Sequence, residues 1–370
     1  MSVQTENLFS QQTLLPKPDH IVMLIMENHG YDQIIGSPAA PHINALANDN
    51  NSALFTQSFA IEHPSQPNYL DLFAGCNQGV TDDAKPTDIP YTTDNLGKEL
   101  IDAGRTFATY SEGLPSVGYN GASYGNYARK HNPAANWMGT GTNQIPLETN
   151  QPLTTFPTDF SLLPTVCFVV PNLKDDMHDG GDPAGIIMGD TWVYQNLTSY
   201  IQWAKTHNSL LILTFDEDEL TQSNQVATIF TGQMVKAGKY SETIDHYSIL
   251  RTIEDMYGLP YACNASTSQP ISDIWTPSSG VTRPGSDSRE NAFSVYPNPA
   301  NGERTIHLET SAAGKFRIVE IFDIRGKKIF QENISKALTE EIRLPHLSSG
   351  NYLVKLSGEK IESTQKLTIK

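Results

Sequence analysis

The sequence predicts a doubly wound α/β domain followed by a small all-β domain. The first observation is a series of short, almost wholly apolar runs that alternate with stretches of helical periodicity. Such runs are typical of strands buried on both faces of a sheet, and their alternation with helices is typical of α/β folds. The second observation is a change of texture after residue 290, where short segments alternate apolar with polar residues. Spaced by turn residues, these segments predict a β-sandwich.

The strands and helices of the first domain follow from the same patterns in chain order. Apolar runs predict strands at 20–26, 106–110, 165–170, 210–215 and 226–231. Helical patterns are found at 41–49, 70–75, 95–103, 189–206 and 245–257. Between 111 and about 160 no period is visible, and a connection of this length is usually functional. Its tyrosines and Trp137 suggest a surface that faces a membrane interface.

Composition divides the chain into a catalytic domain at 1–275, a linker at 276–290 and a β-sandwich at 291–370. The linker is rich in Pro, Ser and Gly. The net charge is −16 overall but +3 for residues 291–370, so the rest of the chain is strongly acidic. This balance argues against a nucleic acid as partner, which requires a basic face. No segment has the length of a membrane span.

Polar side chains stand where the apolar runs end. Glu27 and Asn28 follow the first run, residues 172–179 follow another, and Asp216 and Glu217 follow a third. The carboxyl ends of parallel strands meet at one edge of a sheet, where ligands bind. Oxygen donors of this kind suit Ca²⁺, Mg²⁺ or Mn²⁺, and the nearby histidines leave Zn²⁺ open. The sequence therefore predicts a divalent metal cation at this edge.

Ser65 lies at a junction between a short apolar piece and a predicted helix. A serine hydroxyl beside a metal can ionise at neutral pH and act as a nucleophile. The chain has no G-x-S-x-G elbow, no Gly-rich phosphate loop and no G-x-G-x-x-G after a strand. Cys76 and Cys263 are candidates for a disulfide, which spacing alone does not decide.

Six ordered motifs resemble the phosphoesterase family, which groups bacterial phospholipases C with acid phosphatases in the alkaline-phosphatase-like superfamily. The resemblance covers about residues 18–275, and it implies a three-layer α/β/α domain and metal-dependent phosphoryl transfer. The motifs are Met26-Glu-Asn-His-Gly-Tyr-Asp32, His63-Pro-Ser-Gln-Pro-Asn-Tyr-Leu70, Tyr127-Ala-Arg-Lys-His-Asn-Pro133, Val170-Pro-Asn-Leu-Lys-Asp-Asp-Met-His-Asp179, Thr214-Phe-Asp-Glu-Asp218 and His246-Tyr-Ser-Ile-Leu-Arg-Thr-Ile-Glu-Asp255.

The resemblance also implies roles for individual residues. The implied metal ligands are Glu27, Asn28, Asp216 and Glu217. Ser65 is the implied nucleophile, which would become a phosphoserine. His178, oriented by Asp179, and His246 would face the phosphate or the leaving group. Substrate contacts are expected from Asn28, His63 and His131, while His29 is left outside the site.

The C-terminal segment resembles the sorting domain of the type IX secretion system of Bacteroidota. The resemblance rests on Val295-Tyr-Pro-Asn-Pro-Ala-Asn-Gly302, Ile321-Phe-Asp-Ile-Arg-Gly326 and Leu347-Ser-Ser-Gly-Asn-Tyr352. It implies that residues 291–370 are recognised by the secretion machinery and that the protein is secreted or displayed on the cell surface. The N-terminal residues lack the basic start and apolar core of a signal peptide, and we interpret this as a truncated start.

These features predict a metal-dependent phosphoesterase that hydrolyses phosphate esters through a phosphoserine, in the manner of an acid phosphatase. One alternative is a phosphodiesterase of the phospholipase C type that acts on lipid head groups. Another is a non-catalytic surface binding protein on a phosphatase scaffold. Loss of Glu27, Ser65 or Asp216 would be the signature of that second alternative, and all three are present.

Overall fold

The structure is a computed structural model that divides the chain into two compact units, Met1–Ser278 and Ser279–Lys370. It describes residues 15–220 and 223–276 of the first unit. In the second unit it describes residues 293–298, 300, 305–310, 316–323, 327–334, 339–358 and 362–369. Apart from residue 276, the predicted linker at 276–290 lies outside the described residues.

An eight-stranded sheet forms the centre of the first unit. Its spatial order is β11-β2-β10-β9-β1-β8-β4-β7, and β10 alone runs against the others. Two further pairs, β3 with β12 and β5 with β6, lie outside it. The strands are β1 (His20–Met26), β2 (Ser52–Phe55), β3 (Ser58–Phe59), β4 (Phe107–Ser111), β5 (Ser123–Tyr124), β6 (Tyr127–Ala128), β7 (Asn150–Pro152), β8 (Val166–Val170), β9 (Ser209–Phe215), β10 (Thr228–Thr231), β11 (Gly238–Tyr240) and β12 (Ile244–Asp245).

Six helices within residues 15–220 and 223–276 cover the two faces of this sheet. They are α1 (Tyr31–Ile34), α2 (Pro41–Ala47), α3 (Ser65–Ala74), α4 (Leu96–Asp102), α5 (Ala184–Ala204) and α6 (His246–Tyr257). One apolar core contains Ile21, Met23 and Ile25 of β1 with side chains of α3, α4 and α6. The other contains the alternate residues of β1 with side chains of α1, α2 and α5. The prediction of a three-layer α/β/α domain is confirmed.

One strand of the sheet runs against the others, and the apolar runs of the sequence did not predict its direction. The apolar run at 226–231 contributes β10, which begins at Thr228 and pairs antiparallel with both β9 and β2. A run of apolar residues indicates burial but carries no information on direction. The helix predicted at 189–206 is also longer than expected, because α5 begins at Ala184.

The connection between β4 and β8 is buried mainly at residues 127–138, while many of its other residues are exposed. It contains short strands and 3-10 turns between Ser123 and Leu162. Trp137 is wholly buried, contacts the rings of Phe73 and Tyr91, and donates a hydrogen bond from Nε1 to the Thr93 carbonyl at 3.1 Å. The suggestion that Trp137 belongs to a membrane-facing surface is therefore wrong. Among the described residues, no helix has the length and apolar character needed to cross a membrane.

The second unit consists of two antiparallel sheets, which confirms the predicted all-β sandwich. Their strand orders are β13-β14-β17 and β16-β15-β18-β19. Apolar side chains from both sheets, including Ile306, Leu308, Val319 and Val354, form one core. The strands are β13 (Phe293–Tyr296), β14 (Thr305–Thr310), β15 (Ile318–Asp323), β16 (Lys328–Asn333), β17 (Thr339–Arg343), β18 (Gly350–Ser357) and β19 (Glu362–Ile369).

Two buried carboxyl groups lie near each other where α4 packs on α6. Glu99 is 8% exposed and Glu254 is fully buried, and neither Glu99 oxygen has a hydrogen-bond partner. Burial, reinforced by the charge of Glu254, raises the pKa of Glu99 from 4.5 to about 8. Burial likewise raises the pKa of Glu254 to about 8. The stability that depends on their protonation is complete below pH 4.5 and is lost as the pH rises through 8.

We expect Glu99→Gln to remove part of this pH dependence. Near pH 5 the variant should match the wild type, whereas above about pH 8.5 it should be more stable by on the order of 2 kcal/mol. Urea unfolding followed by tryptophan fluorescence measures this, since all four tryptophans lie in the first unit. Asp102→Asn on the same helix is the control, because the Asp102 side chain is 61% exposed. An equal loss of stability in Glu99→Gln and wild type over this range would contradict the expectation.

Candidate active site

The candidate active site lies where β1, β8 and β9 end at one edge of the sheet. The backbone N–H of Glu27 donates to the carbonyl of Asp176 at 2.8 Å, which joins the segments that follow β1 and β8. The N–H of Asp216 donates to the carbonyl of Met26 at 3.0 Å, which joins β9 to β1. Asn28 has a left-handed backbone (φ 51°), and its N–H donates to Asp216 Oδ1 at 3.0 Å. Parallel pairing therefore places residues far apart in sequence side by side.

Ser65 is the first residue of α3 and lies between two carboxylates. Its Oγ is 3.0 Å from Glu27 Oε2 and 2.9 Å from Glu217 Oε1. The side chain is 1% exposed. A hydroxyl has one proton to donate, so it cannot satisfy both carboxylates at the same time. The N-terminal amides of α3 favour negative charge at this position.

Three carboxyl groups of this cluster are buried close together. Asp216 Oδ1 accepts hydrogen bonds from two backbone N–H groups, while Asp216 Oδ2 is buried without a hydrogen-bond partner. Burial, together with the charges of Glu27 and Glu217, raises the pKa of Asp216 well above its usual value. Burial also raises the pKa of Glu217. Ionised carboxylates are stable in such surroundings only when a cation or donors compensate them.

Side chains that could hold a divalent cation lie at this edge: the ligand atoms of Glu27, His131 and Asp176 all lie within 4.8 Å of one another. The predicted ligands Glu27, Asp216 and Glu217 supply carboxylate oxygens near the Ser65 hydroxyl, and Asn28 adjoins them through its backbone. Two buried oxygens of this predicted set, Glu27 Oε1 and Asp216 Oδ2, accept no hydrogen bond. Hard oxygen ligands of this kind are those of Mg²⁺, Ca²⁺ and Mn²⁺. These observations agree with the predicted metal, whose identity they do not select.

His131 is a buried partner of Glu27. Its Nε2 lies 3.0 Å from Glu27 Oε1, its Nδ1 lies 3.0 Å from Asp176 Oδ2, and its ring stacks on Tyr69. Burial acts to lower the pKa of His131, but the adjacent Glu27 and Asp176 carboxylates outweigh it and raise the pKa to about 9. Burial conversely acts to raise the pKa of Glu27, and His131 outweighs it to hold that pKa at about 2. The imidazolium therefore fixes Glu27 in its ionised form.

His178 and Asp179 form a second pair beside the cluster. His178 Nδ1 lies 2.9 Å from Asp179 Oδ1, and the His178 side chain is 29% exposed. Its ring centroid lies 5.8 Å from that of His131. On its other side, Lys130 Nζ lies 3.4 Å from His178 Nε2. Asp179 thus holds the ring at Nδ1, and Nε2 is the ring nitrogen on the side of Lys130.

His63 and His246, the other two histidines predicted for the site, lie beside the carboxyl cluster. His63 Nδ1 is 2.5 Å from Glu217 Oε2, and His63 Nε2 is 3.5 Å from Asp218 Oδ1. His246, the first residue of α6, donates from Nε2 to the Phe215 carbonyl at 3.0 Å. Its Nδ1 is buried without a hydrogen-bond partner, and burial lowers the pKa of His246. The structure thus brings all the predicted site residues into one connected set, and their roles remain predictions.

Sequence reasoning did not assign two residues that contact this set. The Asp176 carboxylate accepts a hydrogen bond from the His178 backbone N–H at 2.8 Å and contacts His131. The neighbouring Asp175 instead accepts a hydrogen bond from Asn172 Nδ2 at 2.7 Å. The run of acidic residues after β8 was visible in the sequence, but not which of them turns inward. Lys130 was visible as part of a basic segment without a role. His29 donates from Nδ1 to the Glu27 carbonyl and lies 2.9 Å from Asp182, so it supports the loop.

A buried serine at the start of a helix thus lies among carboxylates and histidines at the carboxyl edge of a three-layer α/β/α domain. The family model described as the Phosphoesterase family matches residues 37–260. The chain therefore belongs to the phosphoesterase family and is a phosphate-ester hydrolase. The family resemblance stated from the sequence motifs is confirmed.

Named relatives support the same class. Over 266 residues the chain is 45% identical to the phosphatidylinositol-3-phosphatase of Mycobacterium tuberculosis, which covers 70% of this chain and 84% of that protein. Over 275 residues it is 29% identical to the phosphate-repressible acid phosphatase of Penicillium chrysogenum, which covers 69% of this chain and 64% of that protein.

The comparisons also cover the second unit and the solved structures. The model described as the Secretion system C-terminal sorting domain matches residues 294–370, as the sequence predicted. A solved protein of the alkaline phosphatase superfamily from Vibrio parahaemolyticus is similar at 12% identity with a TM-score of 0.47. That match covers 97% of this chain and 84% of the other. A likeness of this size assigns no function.

We expect Asp216→Asn to stabilise the metal-free protein at neutral pH, because burial and the charges of Glu27 and Glu217 oppose ionisation of Asp216 and an amide has no charge to lose. In EDTA its melting temperature should rise by about 2–6 °C, since roughly 1–2 kcal/mol shifts a domain of this size by that amount. Excess Mn²⁺ should then raise the melting temperature of the wild type more than that of the variant. Thermal unfolding measures both effects, and Glu148→Gln at an exposed site is the control. A destabilised variant in EDTA would contradict the electrostatic account.

Proposed function

We propose that this enzyme is a phosphatase that hydrolyses phosphate monoesters through a phosphoserine at Ser65. The observation that carries the proposal is the position of the Ser65 hydroxyl, held at the start of α3 between Glu27 and Glu217. A nucleophile needs a fixed direction of attack and a nearby acceptor for its proton. Both carboxylates lie at hydrogen-bond distance from this hydroxyl, so either one is placed to accept its proton.

The chain's own residues carry the proposed steps. Ser65 Oγ attacks phosphorus while its proton passes to a neighbouring carboxylate, and the bond from phosphorus to the leaving oxygen breaks. His178, oriented by Asp179 and carrying a proton on Nε2, donates that proton to the leaving oxygen. In the second half, the same nitrogen takes a proton from water and the water oxygen attacks phosphorus. The bond from phosphorus to Ser65 Oγ breaks, the carboxylate returns its proton to Ser65, and inorganic phosphate is released. Asn28, His63 and His246 are the proposed contacts of the phosphate oxygens.

A divalent cation would be held by Glu27, Asn28, Asp216 and Glu217, and when bound it supplies positive charge to the phosphate oxygens and to the serine oxygen. His131 has a positioning role in this proposal. With both ring nitrogens on carboxylates, it holds Glu27 and Asp176 rather than standing open to a substrate. The sequence predicted that His131 contacts the substrate, whereas we propose that it positions Glu27 and Asp176.

The relatives favour a monoester over a diester. Their names are those of a phosphatidylinositol-3-phosphatase and of acid phosphatases. The phospholipase C alternative depended on an aromatic surface between β4 and β8, and Trp137 of that segment is buried. A non-catalytic binding protein has no need of a buried serine between carboxylates, an arrangement that is costly unless it is used.

The second unit supports a proposal for location. We infer from the match to a secretion sorting domain that residues 291–370 address the enzyme to a type IX secretion system, and that the enzyme works outside the cell or on its surface. This location agrees with a substrate that is an extracellular phosphate ester.

Ser65→Ala should abolish the reaction. We expect kcat for 4-nitrophenyl phosphate to fall by roughly 10³-fold or more, as for loss of other enzymatic nucleophiles. Absorbance of the released phenol measures the rate, and acid quenching followed by mass spectrometry should detect phosphorylated Ser65 in the wild type only.

Ser58→Ala is the matched control, because Ser58 is a buried serine whose Oγ binds Thr228 instead of the carboxylates. It should retain kcat. Turnover by Ser65→Ala at the wild-type rate would refute the nucleophile, and faster hydrolysis of bis(4-nitrophenyl) phosphate than of the monoester would refute the monoesterase assignment.

A further inference from the structure

Arg129 carries a buried positive charge that has no carboxylate partner in the described part of the chain. The residue is 1% exposed, and its guanidinium donates to two neutral acceptors, Asn120 Oδ1 at 2.7 Å and the Ala135 carbonyl at 3.0 Å. Its Nη1 is buried without a hydrogen-bond partner. A guanidinium with no counter-charge is expensive to bury. The proposed chemistry at Ser65 gives Arg129 no task.

Arg129 lines a cavity of about 190 Å³ together with Lys85, Lys130, Asp83 and Gln66. The cavity lining thus contains three cationic side chains and one carboxylate, although the first unit as a whole is strongly acidic. Asp83 compensates Lys130 alone, through a contact of 2.8 Å between Lys130 Nζ and Asp83 Oδ2. Lys85 Nζ donates to the neutral carbonyl of Asn120 at 2.5 Å. The charges of Arg129 and Lys85 therefore remain for an anion.

The cavity adjoins the reacting groups on two sides. Gln66 directly follows the proposed nucleophile Ser65, and its backbone N–H donates to Asp83 Oδ1 at 3.0 Å. Lys130 Nζ lies 3.4 Å from His178 Nε2, on the proposed leaving-group side. The cavity therefore lies where it can hold another part of the molecule whose phosphate is at Ser65. At about 190 Å³ the cavity is smaller than the roughly 300–1,000 Å³ of sites for whole drug-sized ligands.

We propose that this cavity binds a second anionic group, a phosphate or phosphodiester, carried by the leaving group of the substrate. The inference rests on the proposed phosphatase function and deepens it, since it assigns the enzyme to substrates with two anionic groups. Arg129 and Lys85 supply the charge. Arg129 acts through its charge alone, because Nε and Nη2 donate to Asn120 and Ala135 and Nη1 is buried, so the exposed Lys85 is the direct donor. The chemistry is shared by a phosphoinositide head group and by a free phosphate ion, which experiment can separate.

The test compares two soluble substrates that differ by one phosphate, myo-inositol 1-phosphate and myo-inositol 1,3-bisphosphate. Initial release of inorganic phosphate gives kcat/KM for each. We expect the full-length wild type to prefer the bisphosphate by about tenfold or more, which corresponds to about 1.4 kcal/mol. Because both kcat/KM values are measured on the same enzyme sample, their ratio does not depend on the fraction of folded enzyme. A variant that folds poorly therefore still gives a valid ratio.

Lys85→Ala and Arg129→Gln should each lower this ratio severalfold. Lys236→Ala is the matched control, because it removes an equally exposed lysine of the same unit outside the cavity, and it should keep the wild-type ratio. Loss of the preference in all three variants would indicate a general charge effect and overturn the proposal.

Two further outcomes would overturn the inference. The first is a wild-type ratio of kcat/KM near two, the value expected from the number of phosphates alone. If the monophosphate is hydrolysed, that result leaves the proposed phosphatase function intact. The second is an equal kcat/KM for the two inositol phosphates together with an effect of sulfate on 4-nitrophenyl phosphate hydrolysis. If sulfate altered the rate of the wild type but not that of Lys85→Ala, the cavity would be a site for free anions. Failure to hydrolyse any monoester would instead refute the proposed function itself.

Discussion

Three buried carboxyl groups around one serine hydroxyl are the constraint on which the site depends. Glu27, Asp216 and Glu217 meet at Ser65, where water is excluded and each raises the energy of ionising the next. Part of this charge is compensated within the fold. His131 pairs with Glu27, His63 with Glu217, and backbone N–H groups bind Asp216. The remaining deficit of positive charge is what makes the cluster suited to a divalent cation.

Strand β1 connects this site to the stability of the whole catalytic unit. Its alternate residues enter the two cores on either face of the sheet, so the strand is held by almost every other element. Glu27 follows directly, and its direction is thereby fixed by packing rather than by a loop. The αL backbone of Asn28 then turns the chain and presents its N–H to Asp216. A rigid support of this kind is what an active site requires.

The sequence predicted much of this fold because the relevant signals are local. Wholly apolar runs indicated β1, β8 and β9, and polar residues after them indicated the edge with the site. It did not predict that β10 runs antiparallel, since β10 is placed by pairing with β2 and β9, far away in the chain. Nor did it predict that the segment holding Trp137 is packed inward, because an aperiodic segment shows neither burial nor exposure.

The sequence by itself determined which residue types stand at the strand ends and hence the class of chemistry. Only the tertiary structure decided their partners. It turned Asp176 rather than Asp175 toward His131 and placed Lys130 against His178. It also left Arg129, which has no carboxylate partner among the described residues, buried beside a cavity. The physical reason is that charge compensation depends on distances of a few ångströms. Between residues many positions apart in the chain, periodicity and composition do not encode such distances.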